Sequence, residues 1–140
     1  MASQTVRTFT RVVGGEETLA RYRLVRRESA TSSDVIFMEA TATYVPIGVI
    51  QAGDNSSYVV GSEVAVQDFK AGGTQKVEAA GAIVDGAFIY AAADGRVQAL
   101  PAAAGTYLRV GIAFEAATGA GSIFEAWLDP SGTTETVTGS

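Results

Sequence analysis

From Ala80 to Leu128 the chain reads AGAIVDGAFIYAAADGRVQALPAAAGTYLRVGIAFEAATGAGSIFEAWL. Gly, Pro or Asp interrupts every apolar run in this stretch, so none is long enough to nucleate a stable helix, whereas a strand needs only a few residues between turns. Two alanine clusters, Ala91 to Ala93 and Ala102 to Ala104, favour a helix by propensity alone, but Gly, Pro or Asp-Gly halts each of them. Small residues of this kind suit places where sheets or neighbouring subunits approach closely. The apolar residues must therefore be buried by short strands joined through tight turns, and 140 residues suffice for one domain with its own core.

The rest of the chain has the same character. Residues 5–13, TVRTFTRVV, alternate with a period of two and predict a strand, followed by a turn or hinge at Gly14-Gly15. Residues 16–27, EETLARYRLVRR, fit either a helix, with acidic residues at its start and arginines at its end, or a strand in which Ala20, Tyr22 and Leu24 alternate with Arg21 and Arg23. The β-rich surroundings favour the strand. Further strands are expected at 34–40, 45–51, 58–66, 74–78, 87–92, 97–100, 107–115 and 122–128, and Pro46 places its strand at a sheet edge or at a strand start. The pattern predicts an all-β fold, a single compact β-barrel or β-sandwich domain of roughly 8–10 short antiparallel strands, with an extended N-terminal arm. An internal echo accompanies it. Val35, Tyr44 and Gly61 recur as Val97, Tyr107 and Gly121 at offsets of 62, 63 and 60 residues, which suggests two related β-units, about 20–66 and 86–127, within one domain.

Chemistry is sparse. The chain has no His and no Cys, so a Ser-His-Asp or Cys-His arrangement cannot form, and Lys70 and Lys76 lack Ser-x-x-Lys spacing. Glu115 and Glu125 on neighbouring strands could flank a glycosidic bond, but they read more simply as solvent-facing residues of a half-buried sheet. Asp54, Asp85 and Asp94 lie in turns without EF-hand spacing, where Asp beside Gly is ordinary turn chemistry. Gly119-x-Gly121 lacks the rest of a phosphate loop. The expectation is a non-enzymatic protein with no catalytic residues, no cofactor and no metal, working through shape and surface.

Charge is uneven. Residues 1–27 carry a net +4, from Arg7, Arg11, Arg21, Arg23, Arg26 and Arg27 against Glu16 and Glu17, whereas residues 28–140 carry −9. An acidic body argues against nucleic acid as the partner, since phosphate contacts need a broad basic surface. A basic N-terminal section on an acidic body suits an acidic protein surface, and the candidate contact residues are Arg7, Phe9, Arg11, Arg21 and Arg23. The N-terminal residues lack the apolar core of a signal peptide and no apolar run is long enough to span a bilayer, so synthesis and folding in the cytoplasm and no membrane partner are expected.

Read together, LARYRLV (19–25), DVIFMEATATYVPIGVIQAG (34–53), GSEVAVQ (61–67), AAGAIVDGAFIYAAADGRVQAL (79–100) and VGIAFEAATGAGSIFEAWL (110–128) resemble the small capsid decoration, or cement, proteins of tailed bacteriophages. The segments that carry the likeness are Leu24-Val25, Pro46 to Val49, Gly81 to Gly86, Asp94 to Val97 and Val110 to Gly121. The resemblance covers about residues 16–128 and leaves outside it the Arg-rich N-terminus (1–15, arm and hinge) and the polar C-terminal tail (129–140), expected to be mobile or lightly docked. It implies a viral structural protein on the exterior of the virion that binds the outer surface of an assembled capsid and bridges major capsid subunits. It also implies a homo-oligomer, with a trimer favoured. The competing expectation is a carbohydrate-binding or host-attachment β-module. Such a module would show clustered exposed aromatics, and Trp127, in an apolar strand, is expected in the core.

Overall fold

The computed structural model describes residues 8–12, 14, 19–20, 22–27, 35–37, 46–50, 57–58, 63–68, 74–129 and 133–138, with the backbone alone described for 8–12, 19–20, 35–37, 57–58, 63–65 and 68. Thirteen strands occupy them: β1 (Thr8–Val12), β2 (Leu19–Ala20), β3 (Leu24–Arg27), β4 (Val35–Phe37), β5 (Gly48–Val49), β6 (Ser57–Tyr58), β7 (Glu63–Asp68), β8 (Gln75–Glu78), β9 (Phe88–Ala91), β10 (Val97–Gln98), β11 (Gly105–Ala113), β12 (Ile123–Leu128) and β13 (Thr134–Val137). The helical content of the described residues is one 3-10 turn at Ala93–Gly95, so none of their helices is long and apolar enough to cross a membrane. The ambiguous segment 16–27 takes the strand form as β2 and β3, broken at Tyr22 by a left-handed backbone (φ 66°). The Asp94-Gly95 pair closes the β9–β10 hairpin with φ of 60° and 78°, the combination that a type I′ turn requires.

The strands pair antiparallel into two principal sheets, in the orders β1-β7-β5-β3-β4 and β8-β12-β11-β9-β10, with β2 and β6 forming a small third sheet. Both principal sheets are open, so of the two expected architectures the closed barrel is not formed. β5 is an interior strand that begins two residues after Pro46, where the missing N–H breaks no ladder.

The two orders correspond strand for strand, and the correspondence extends to single bonds. Tyr22 N–H donates to the carbonyl of Ile50, and Gly86 N–H donates to that of Ala113. Ile50 N–H donates to Arg23, and Ala113 N–H to Ala87. The Ala20–Ser57 pair of the small sheet has its counterpart in the Ile83–Ala117 bridge. Tyr22 and Gly86, both left-handed, occupy the same place. Each five-strand unit opens one strand before the sequence echo does, with β1 and β8.

Corresponding glycines sit at the centre of each sheet. Gly48 on β5 and Gly111 on β11 are buried, and a Cβ on either would strike a backbone carbonyl of the neighbouring strand, Gln67 in one sheet and Trp127 in the other. These positions exclude any side chain because the flanking strands close directly over them.

The main core combines Leu24 and Val49 of the first sheet with Val77, Ile89, Ala91, Leu108, Val110, Phe124, Ala126 and Leu128 of the second. Ala91 and Ala92 are buried, as close sheet packing needs, whereas Ala102 to Ala104 form an exposed loop whose Ala103 carbonyl accepts from the Tyr107 hydroxyl. Each fully buried Leu, Ile or Phe contributes about 1.5–3 kcal/mol over exposure.

Both chain ends described here join the sheets. β1 pairs in register with the chain's own β7, Thr8 opposite Gln67 through Val12 opposite Glu63, and ends the first sheet's strand order. β13 pairs with Gly105 to Leu108 of β11, while β12 pairs with Gly111 to Ala113, so the two lie end to end along one side of β11. The 134–137 part of the polar tail is thus an edge strand, polar because its side chains are mostly exposed.

Gly111→Ala is expected to lower the unfolding free energy by about 1–3 kcal/mol, the usual cost of overpacking. Gly119→Ala, whose added Cβ meets nothing within 4 Å, is expected to be near neutral. Urea titration of both variants checks this, and equal losses would contradict the close-approach argument.

Candidate functional site

Arg23 precedes β3 and reaches across to the second unit. Its Nε donates to Glu78 Oε1 at 3.0 Å, a second guanidinium nitrogen donates to Oε2 at 3.3 Å, and the third donates to the Asp94 carbonyl at 3.0 Å. Arg96 Nε lies 2.7 Å from Glu78 Oε2, an ion-pair contact without an aligned hydrogen bond. The Glu78 backbone N–H donates to Tyr22. One carboxylate on β8 thereby fastens the first unit to the second. Arg23 was a candidate for an outside partner, and its guanidinium is engaged within the chain.

The outer face of the second sheet differs in character. Along β12, Ile123, Glu125 and Trp127 point outward while Phe124, Ala126 and Leu128 are buried. Trp127 is opposite Ile112 on β11, which is opposite Phe88 on β9, so one cross-strand row reads Phe88, Ile112, Trp127. Phe88, Phe114 and Trp127 are 47%, 53% and 54% exposed, too open to count as core. Phe114 meets Trp127 edge-on, with centroids 6.2 Å apart, and the Arg109 guanidinium lies 4.4 Å above the Phe88 ring. The expectation that Trp127 is a core residue is corrected here. Trp127 shares the parity of Glu125 in a period-two strand, and that was the readable signal.

The carboxylates considered as a catalytic pair are engaged structurally. Glu115 Oε1 accepts from the Glu125 backbone N–H at 2.9 Å, and Glu125 Oε2 accepts from the Thr74 hydroxyl at 3.3 Å. Among the described residues no three acidic side chains gather where they could hold a metal ion, and Asp54 lies outside them. Tyr90, 2% exposed, donates to Glu135 Oε1 at 2.8 Å and so ties β13 to β9. Burial first, then the hydrogen bond and negative charge of Glu135, raise the Tyr90 pKa above its ordinary 10.0. Of the remaining contact candidates, Arg7 and Arg21 lie outside the described residues, and Phe9 and Arg11 have their backbone on β1.

The fold is similar to a crystal structure titled the head fiber gp8.5 N base in bacteriophage phi29, with a TM-score of 0.65. The match covers 89% of this chain and 95% of that one at 17% sequence identity, so the likeness is one of fold. No protein-family model and no curated protein sequence matches the chain.

Glu78→Gln is expected to cost about 1–3 kcal/mol, below the range for fully buried pairs because Arg96 is partly solvated. Charge removal at an exposed turn away from the seam, such as Asp85→Asn, should be near neutral, and chemical denaturation of both variants checks the seam. The Tyr90 effect has a definite sign. Above pH 10 the unfolded tyrosine loses its proton while the folded one retains it, so stability present below pH 10 falls as pH rises through the raised value. Tyr90→Phe is expected to flatten that alkaline slope and to cost about 1–2 kcal/mol at neutral pH, measured by thermal melting against wild type.

Proposed function

We propose that this chain is a bacteriophage virion structural protein that binds the outer surface of an assembled capsid and stabilises it by bridging major capsid subunits. The observation that carries the reading is the fold likeness to a phage head fiber base over nearly the full length of both chains. The described side chains agree with a role played by shape, since Glu78, Glu115, Glu125 and Glu135 are all occupied in holding strands together. The mechanism is linkage. A protein that binds the shell and not its free subunits stabilises the shell by about 2.7 kcal/mol per site at a hundredfold excess over Kd. Repetition by symmetry multiplies modest contacts into avidity.

The anchor in this reading is the basic N-terminal section, with Arg7, Phe9, Arg11 and Arg21 against an acidic capsid surface. The protein works as a homo-oligomer, with a trimer favoured, on the virion exterior. β1 pairs with its own β7 and ends that sheet among the described residues, so its second edge is available for a strand from the partner. A second reading, a carbohydrate-binding or host-attachment module displayed on the virion, gains one specific observation: the exposed Phe88, Phe114 and Trp127 are the clustered aromatics such a module needs.

Because Thr8–Val12 is part of a sheet, the anchor is tested by substitution and not by deletion. Arg7→Gln with Arg11→Gln is expected to reduce capsid occupancy in co-sedimentation. Wild-type occupancy should fall as salt rises from 0.1 M, where screening acts over about 10 Å, towards 1 M, where it acts over about 3 Å. The double variant should depend less on salt. Unchanged occupancy and salt dependence would remove the anchor role from the arm, and glycan-array binding by a chain that ignores capsids would favour the second reading.

A further inference from the structure

The outer face of the second sheet holds two groups of different chemistry on one line. Phe88, Ile112 and Trp127 are cross-strand neighbours on β9, β11 and β12, so the line runs perpendicular to the strands. Two strand spacings separate its ends, which puts the Phe88 and Trp127 backbones about 10 Å apart. At one end is the open Trp127 ring, with Phe114 edge-on against it. At the other the Arg109 guanidinium is stacked on Phe88. Among the described residues Arg109 pairs with no carboxylate, so its planar set of donors is held by the ring and open to a ligand.

Acceptors stand beside the Trp127 end. Glu125 lies two residues before Trp127 on the same side of β12, and Glu115 reaches the Glu125 backbone N–H. The Thr74 hydroxyl occupies one oxygen of Glu125, and that N–H occupies one oxygen of Glu115. A carboxylate has about four acceptor positions, so both retain capacity.

These features select the ligand. An apolar partner would strip water from the guanidinium and the carboxylates without replacing their hydrogen bonds. A polyanion would meet Glu115, Glu125 and a net charge of −5, and a polycation would meet Arg109. An extended peptide returns to the same side about every 6.6 Å and falls out of step with the line. Hydroxyl groups both donate and accept, and the C–H face of a pyranose ring stacks on an aromatic ring. In an extended chain of equatorially linked pyranoses every second ring shows the same face, and that repeat matches the separation of the two ends. We propose that this line binds an extended, uncharged polysaccharide with equatorial linkages, one ring on Trp127 and the ring two further along against the Arg109 donors. The proposal rests on the carbohydrate-binding reading above, to which it gives a site and a ligand class, and it is independent of whether the chain is seated on a capsid.

The chain's one tryptophan lies in this site, so its emission reports occupancy. The probes are soluble β-1,4-linked cello-, manno- and chito-oligosaccharides of increasing length, with malto-oligosaccharides, whose axial linkages coil the chain, as the control. Titration of the full-length protein with one of the extended series is expected to shift Trp127 emission, with affinity rising ~10-fold when a third ring is added and little response to the coiled series. Isothermal calorimetry reads the variants. Trp127→Ala is expected to lose binding. Arg109→Lys keeps the charge but not the planar fork, and is expected to weaken the three-ring ligand ~10-fold while leaving the two-ring ligand unchanged. Far-UV circular dichroism establishes that both variants fold. A folded Trp127→Ala variant that still binds the sugars would overturn this site and leave the carbohydrate reading standing, whereas a wild-type chain that binds none of them would overturn both. Equal response to the extended and coiled series would also overturn the proposal, because the spacing argument would then have no consequence.

Discussion

The seam between the two units depends on Glu78. Its backbone N–H holds Tyr22 and its carboxylate holds Arg23 and Arg96, so the turn that leads into β3 is fixed to the edge strand β8 of the other sheet. Ion pairs that retain some solvent contribute little net stability. Their value here is geometric, because a carboxylate accepting from one guanidinium in fork fashion admits a narrow range of orientations. With that orientation set, Leu24 and Val49 are directed into the second sheet and the apolar core can close over them. The hydrophobic burial then supplies the energy that the seam does not.

The two units are copies in backbone and not in surface. Their strand orders, central glycines and left-handed turn residues coincide, yet Leu24 and Val49 are interior while Phe88 and Trp127 are not. Leu24 and Val49 are covered by the second sheet, and Val25 and Val66 on the first unit's other face are buried as well, whereas Phe88 and Trp127 stay exposed.

Much of the fold is legible from local chemistry. Asp94-Gly95 forms the turn its residues favour, strands begin and end within a few residues of the Gly and Asp signals, and the echo of Tyr44 to Gly48 in Tyr107 to Gly111 marks corresponding strands, β5 and β11. These features depend on neighbours in sequence, where φ preferences and period-two alternation act directly. The 58–66 segment was less legible: Gly61-Ser62 interrupts it, but local signals do not show that β6 and β7 on either side join different sheets.

The sequence by itself determined the class of the chain: all-β, short-stranded and poor in reactive groups, because composition and spacing constrain the backbone residue by residue. Only the tertiary structure decided which face of each sheet is inside. Alternation puts Phe124 and Trp127 on opposite sides of β12, and Glu125 marks the Trp127 side as the outer one, but Ile123 and Trp127 beside it are apolar, so the assignment is settled only by what lies across the sheet. The same holds for Arg23, whose charge suggested an outside partner until the fold brought Glu78 within 3.0 Å from 55 residues away. Contacts of that separation are set by how two sheets pack, and the packing energy is a property of the whole core rather than of any segment within it.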